Sequence, residues 1–179
     1  MFLTEIVVSA GTQIEQRLAE QGLAPEEIVF KYCWPRYAPP PGSGIRLIGK
    51  LENLDRQFER LIAMHRVVPS SIPMPVGIVK SSKGEFVGYV LEYTPGDTLE
   101  TLISLGLFDQ ASRRLRSVEE TLQKLHAKSI AHGDVNPSNV VAADDGRTVL
   151  IDPIAVPNPG TRLQDELCVA AIRARIEAG

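Results

Sequence analysis

Two cysteines in 179 residues, Cys33 and Cys168, supply no disulfide framework, and no CxxC pair or histidine cluster offers a zinc site. An apolar core must therefore carry the fold, and 44% hydrophobic against 23% charged residues is enough for one large core or two small ones. Basic residues are not in excess. A formal charge of -3 gives no broad positive surface, which argues against a nucleic-acid partner. Long hydrophobic runs are missing as well: nothing approaches the roughly 20 apolar residues of a membrane span. The opening Met1-Phe2-Leu3-Thr4-Glu5 lacks the basic start of a secretory signal. What remains is a globular protein of the reducing cytoplasm, in which each Cys is a small apolar packing residue.

Ile6-Val7-Val8 and Ile28-Val29-Phe30-Lys31-Tyr32 read as strands, while residues 9–23, with Ile14, Leu18, Leu23 and several helix formers, are ambiguous. Residues 34–44 carry four prolines and two glycines, which remove backbone donors and break regular structure, so this stretch is a loop. Over residues 48–68 the spacing of Leu51, Leu54, Phe58, Leu61 and Ile62 predicts an amphipathic helix. Residues 76–79 and 86–92 flank the turn Ser81-Ser82-Lys83-Gly84 and predict a hairpin. Thr94-Pro95-Gly96-Asp97 interrupts the pattern before a helical stretch at 98–105. A longer helix, with Asp109 as its N-cap, runs to about Lys128, its apolar face set by Leu115, Val118, Leu122 and Leu125. A last helix begins near Asp165.

Chemistry concentrates in His132-Gly133-Asp134-Val135-Asn136-Pro137-Ser138-Asn139, followed thirteen positions after Asn139 by Asp152. Phosphoryl transfer needs one carboxylate to orient the attacking hydroxyl, and a second carboxylate with an amide oxygen to hold magnesium against the phosphates. Asp134, Asp152 and Asn139 carry those groups. Apolar runs at 140–142 and 149–151 are joined by Asp144-Asp145-Gly146-Arg147. They read as a hairpin that returns Asp152 to the end where Asn139 entered. A lone Asp or Asn in such a setting is an ordinary turn residue. The ordered set, with its second Asp, is what points to a site.

These motifs resemble the catalytic and metal-binding loops of the protein-kinase superfamily, in which the first reads HRD or HGD and the second DFG or a variant. Gly133 makes this the HGD form, similar to RIO kinases, aminoglycoside and choline phosphotransferases and some bacterial protein kinases. The resemblance implies an α+β, two-lobed fold with ATP in the cleft between lobes. Residues 1–94 would form a small β-rich N-lobe, and residues 95–179 a truncated, mainly helical C-lobe. It implies an ATP- and Mg2+-dependent phosphotransferase, foremost a minimal Ser/Thr protein kinase. A small-molecule phosphotransferase and a pseudokinase serving as a binding module are the alternatives. By the same resemblance Asp134 is the orienting base, His132 organises the loop through hydrogen bonds, and Asn139 and Asp152 hold the metal. Lys31 meets the phosphates, and Glu59 pairs with it, with Glu52 as the other choice. Glu92 and Tyr93 lie at the hinge that holds adenine. Asp165 resembles the buried Asp that accepts hydrogen bonds from the catalytic-loop backbone, or is an acidic residue favouring a helix start.

Three departures from the family stand out. A glycine-rich GxGxxG loop is missing between the first two strands, where Ser9-Ala10-Gly11-Thr12-Gln13 leaves Gly11 alone to meet phosphates. Gly133 replaces the Arg that would pair with a phosphorylated activation loop. Pro153-Ile154 stands where Phe-Gly is usual, which stiffens the segment after Asp152. A short C-lobe further implies an apolar surface over residues 167–176 that a second copy or an activating partner covers. His65 and His126, both on helices, read as surface or satisfied core residues.

Overall fold

Valine- and isoleucine-rich runs form β1 (Thr4–Val8), β2 (Ile28–Tyr32), β3 (Arg46–Ile48), β4 (Pro75–Ser81) and β5 (Phe86–Glu92). The computed structural model describes residues 4–8, 22, 24, 28–32, 46–48 and 53–179. These five strands make one mixed sheet in the order β1-β4-β5-β2-β3. β4 and β5 form the expected hairpin, turned at Gly84 (φ 79°), whose N–H donates to the Ser81 carbonyl at 2.8 Å. β2 runs antiparallel to β5 with Lys31 opposite Tyr89. β1 joins β4, and β3 joins β2, in parallel. Two strands therefore stand between β1 and β2. Among the described residues β1 and β2 are not paired with each other, as a phosphate-cradling turn between them would require. Ser9, Gly11 and Thr12 themselves lie outside the described residues, as do residues 34–44 and Cys33.

Helix α1 (Leu54–Val67) is shorter than its periodicity suggests. Ile48 belongs to β3, where it pairs with Lys31. Asn53 (φ 58°) redirects the chain, and its carbonyl accepts the first helical bond, from the Gln57 N–H at 3.0 Å. Leu54, Phe58, Leu61 and Met64 are the buried stripe.

Further along, β6 (Gly96–Thr98), β7 (Val140–Ala143) and β8 (Thr148–Leu150) make a second, antiparallel sheet in that order. With it come α2 (Leu99–Ser104), α3 (Phe108–His126), the 3-10 turn Pro137–Asn139 and α4 (Thr161–Glu177). β6 occupies what reads in sequence as a simple break. Gly96 (φ 145°) permits this, because a Cβ there would overlap the Ala142 carbonyl of β7 and lie 2.8 Å from Ala143 Cα. Thr98 caps α2, its Oγ1 accepting from Thr101 N–H at 3.1 Å. Asp109 is not the N-cap of α3. Leu107 holds that position, and Asp109 lies in the first turn, where a carboxylate meets the positive end of the helix dipole. α4 opens at Thr161, one turn before Asp165. An Asx turn starts it: Asn158 Oδ1 accepts from Gly160 N–H at 2.9 Å, and Asn158 N–H donates to Thr161 Oγ1 at 2.8 Å.

The chain is thus α+β, and it divides into two compact units, Met1–Glu59 with Met74–Tyr93 and Arg60–Pro73 with Thr94–Gly179. This differs from a division at 94/95 through residues 60–73. The bond from Leu150 N–H to the Ser71 carbonyl (2.9 Å) ties that segment to the second unit. In the first unit Phe58 stacks on Tyr89 with ring centroids 4.9 Å apart. In the second, α3 packs on α4 and buries Val169, Ile172 and Ile176, so only part of the 167–176 surface is bare. Leu163 and Leu167 are 59% and 56% exposed. No helix among the described residues is long and apolar enough to cross a membrane.

Candidate functional site

The β7–β8 hairpin builds the site by register. Val140 pairs with Leu150, and Ile151 N–H continues the ladder to the Asn139 carbonyl at 2.9 Å. Asp152 follows at once. Asn139 and Asp152, far apart in sequence, therefore stand at one end of one hairpin. Asp152 adopts φ 59°, a left-handed backbone that Asp tolerates better than most residues and that turns the chain out of β8.

Asp134 stands on the adjoining loop with both carboxylate oxygens engaged. Asn139 Nδ2 donates to Asp134 Oδ2 at 2.9 Å and to the Asp134 carbonyl at 3.0 Å. Asn136 Nδ2 donates to Asp134 Oδ1 at 3.1 Å. An ionised carboxylate only accepts, so each Asn must turn its amide nitrogen toward Asp134. Asn139 Oδ1 is then the atom left for a cation. Asp134 remains exposed, and each of its oxygens keeps a second lone pair for an incoming hydroxyl.

An amide oxygen and a carboxylate are hard donors suited to magnesium, which takes few protein ligands and completes its shell with phosphate and water. Among the described residues no three His, Cys, Asp or Glu gather as a self-sufficient metal cage. The residue types at 139 and 152 fit such an ion.

Beneath the loop, Asp165 is fully buried and acts as a clamp. Its Oδ2 accepts from His132 N–H at 2.8 Å and lies 3.0 Å from His126 Nε2, and its Oδ1 accepts from Gly133 N–H at 2.6 Å. Ile154 N–H donates to the His132 carbonyl at 3.1 Å, joining the segment after Asp152 to the same loop. Gly133 (φ 87°) is required there. A Cβ would overlap Ile154 Cδ1 and come within 2.8 Å of Thr161 Cγ2.

His132 is wholly buried. Desolvation pushes its pKa down to about 4, against the opposing pull of Asp165, Asp134 and the Ile151 backbone. Its Nδ1 lies 3.4 Å from the Asp134 N–H. Arg60 from α1 donates to the Ala131 carbonyl, one residue before His132. Burial lowers the Arg60 pKa, and the Asp165 charge opposes that shift.

The remaining expected residues belong to the first unit. Lys31 is 1% exposed, and burial lowers its pKa to about 8. Glu59 is exposed, and the buried polar side chain of that helical turn is Gln57, whose Oε1 accepts from Tyr89 Oη at 2.7 Å. Gln57 is two positions from Glu59, so a shift of about 200° around the helix separates the two faces. Glu52 lies outside the described residues. Glu92 and Tyr93 end that unit, with Glu92 N–H bonded to the Met74 carbonyl at 2.9 Å.

Sequence motifs alone pass over Asn136, Arg60 and His126. Asn136 had a readable signal, since Asn before Pro is a frequent helix-cap pair. Arg60 and His126 had none, because their partners are remote in sequence. His65 is satisfied locally, its Nδ1 lying 3.0 Å from the Ile72 carbonyl. A groove of about 750 Å³ between α3 and α4 is lined by Leu122, His126, Val169 and Arg173 among others and by none of the loop residues 132–139. It lacks the convergent chemistry found at Asp134.

No protein-family model matches the chain. A probable myosin light chain kinase of Dictyostelium discoideum is 33% identical over 63 residues, which is 34% of this chain and 13% of that protein. The chain thus spans a small part of that relative's length, and the similarity is a partial one to a protein named as a kinase.

Proposed function

We propose that this chain is an ATP- and Mg2+-dependent phosphotransferase acting on a hydroxyl group, with a protein Ser or Thr as the acceptor. The observation that carries the reading is Asn139 hydrogen-bonded to Asp134 at the open end of the β7–β8 hairpin, where Asp152 directly follows the bond from Ile151 N–H to the Asn139 carbonyl. Asp134 accepts the hydrogen bond of the acceptor hydroxyl and orients it. Asn139 Oδ1 and the Asp152 carboxylate hold the cation. Magnesium-bound ATP, when present, supplies the phosphoryl group and neutralises its charge. His132 and Asp165 do no chemistry; they fix the loop on which Asp134 stands. The kinase-named relative favours a protein acceptor over a small alcohol. By the kinase resemblance Lys31 serves the phosphates, and Glu92 and Tyr93 the adenine.

One observation favours a binding module instead: β1 and β2, which would flank a phosphate-capping turn, are not neighbours in the sheet. Labelled ATP with magnesium separates the readings, using the full chain alone, with a generic protein substrate, and with aminoglycoside or choline. Transfer to protein that falls by roughly 10²–10⁴ in Asp134→Ala, with a similar loss in Asp152→Ala, is the expected result. Wild-type protein that binds nucleotide with magnesium yet transfers nothing would establish the module.

A further inference from the structure

Asn136 is the one loop side chain that touches both the orienting carboxylate and the segment carrying the metal ligand. Its Nδ2 donates to Asp134 Oδ1 at 3.1 Å and approaches the Asp134 carbonyl at 3.4 Å. Its Oδ1 accepts from Ser138 N–H at 3.0 Å and from Asn139 N–H at 3.1 Å, capping the 3-10 turn that ends at Asn139. Pro137 contributes no donor in the first position of that turn, so one capping oxygen serves the two N–H groups that follow. Asn139 closes the ring through its own amide on Asp134 Oδ2.

The three side chains form a closed hydrogen-bonded circuit in which the amide plane of Asn136 has no freedom to flip. Exchanging its oxygen and nitrogen would set two acceptors against each other at Asp134 and two donors against each other at residues 138 and 139. An exposed carboxylate would otherwise sample several rotamers. Here its two oxygens are fixed by amides from opposite sides.

We infer that Asn136 is a positioning residue that locks the Asp134 carboxylate in register with Asn139, coupling the orienting base to the metal ligand. This rests on the phosphotransferase reading for its catalytic consequence, but the circuit itself is testable without turnover.

Two variants divide the two ends of the side chain. Asn136→Ser retains an oxygen for the turn, but its hydroxyl is too short to replace the amide nitrogen that reaches Asp134; Asn136→Ala loses both. Each is expected to lower kcat roughly 10- to 100-fold, a typical loss for a displaced reacting group, while the KM for ATP changes little. Asn136→Ala should also lower the thermal midpoint more than Asn136→Ser. In an Asp134→Asn background Asn136→Ala should cause no further loss of rate, because a residue that acts through Asp134 has nothing left to position. A merely structural role would give additive losses.

Independently of activity, the side-chain amide NMR signals of both Asn136 and Asn139 should shift in Asp134→Ala. If only the Asn139 pair moves, or if Asn136→Ser retains wild-type kcat, the inference fails while the phosphotransferase reading stands. A wild type without any transfer removes that reading and the catalytic role of Asn136 with it.

Discussion

At the scale of single residues, Gly133 shows how backbone conformation and crowding specify one amino acid. Its φ of 87° disfavours any side chain, and the space where a Cβ would sit is filled by Ile154 and Thr161. The same contact gives a physical account of the HGD form: an Arg side chain could not leave this position without displacing the segment that follows Asp152. Gly133→Ala is therefore expected to destabilise the protein by roughly 2–4 kcal/mol, the sum of a positive-φ penalty and overpacking. A urea titration of wild type and variant would measure it. A change below about 0.5 kcal/mol would mean that Ile154 yields freely and that the loop is not latched to Asp152.

At the scale of elements, the second unit is organised around a helix that reaches back to hold a loop. Asp165 lies in the second turn of α4 and takes three donors, the His132 and Gly133 amides and His126 from the end of α3. Removing the acceptor strands donors in a buried place, at about 1–3 kcal/mol for each one left unsatisfied. Asp165→Ala should thus cost about 3 kcal/mol or more. Asp165→Asn should recover only part, because one of its two positions then presents donors to donors. Hydrogen exchange at the amides of residues 132 and 133 is the direct readout. It should quicken in both variants well before exchange in the β7–β8 hairpin does, and unchanged protection at those amides would show that the loop is held by something else.

Elements also differ in how far their sequences announce them. The β4–β5 and β7–β8 hairpins are legible because apolar runs and glycine-bearing turns are adjacent. The site motif is legible for the same reason: Asp134 and Asn139 are five positions apart, and one hairpin brings Asp152 to them. β6 is hidden because three residues led by Gly96 have no strand propensity of their own, and pairing with β7 imposes the conformation. The parallel pairings of β1 with β4 and β3 with β2 depend on contacts between distant segments, which local periodicity does not encode. The helix face that buries Gln57 and exposes Glu59 was likewise undetermined by spacing alone, since both lie beside the apolar stripe. Asp165 sits at the boundary of legibility: the sequence suggests the residue, but only the fold supplies its three donors.

At the scale of the whole molecule, the buried His132 ties global stability to pH. Desolvation holds its folded pKa near 4, below the ordinary 6.5 that the unfolded chain retains. Above pH 6.5 neither state carries the proton, and the native packing contributes in full. Between 6.5 and 4 the unfolded chain takes up a proton that the folded interior excludes, so stability falls as pH falls, by up to 1.36 kcal/mol per unit. Below about 4 both states are protonated and the loss levels off near roughly 3 kcal/mol. His132→Leu, of similar volume and without a titrating ring, removes this contribution. Urea unfolding followed from pH 7.5 to 4, with amide exchange of the β7–β8 hairpin as a probe within the same unit, should show the wild type losing stability more steeply than the variant across this window. Parallel curves would mean that His132 protonates in place. The neutral ring would then be no part of what holds Asp134, and the support of the candidate site would rest on Asp165, Arg60, Ile154 and the two asparagine amides.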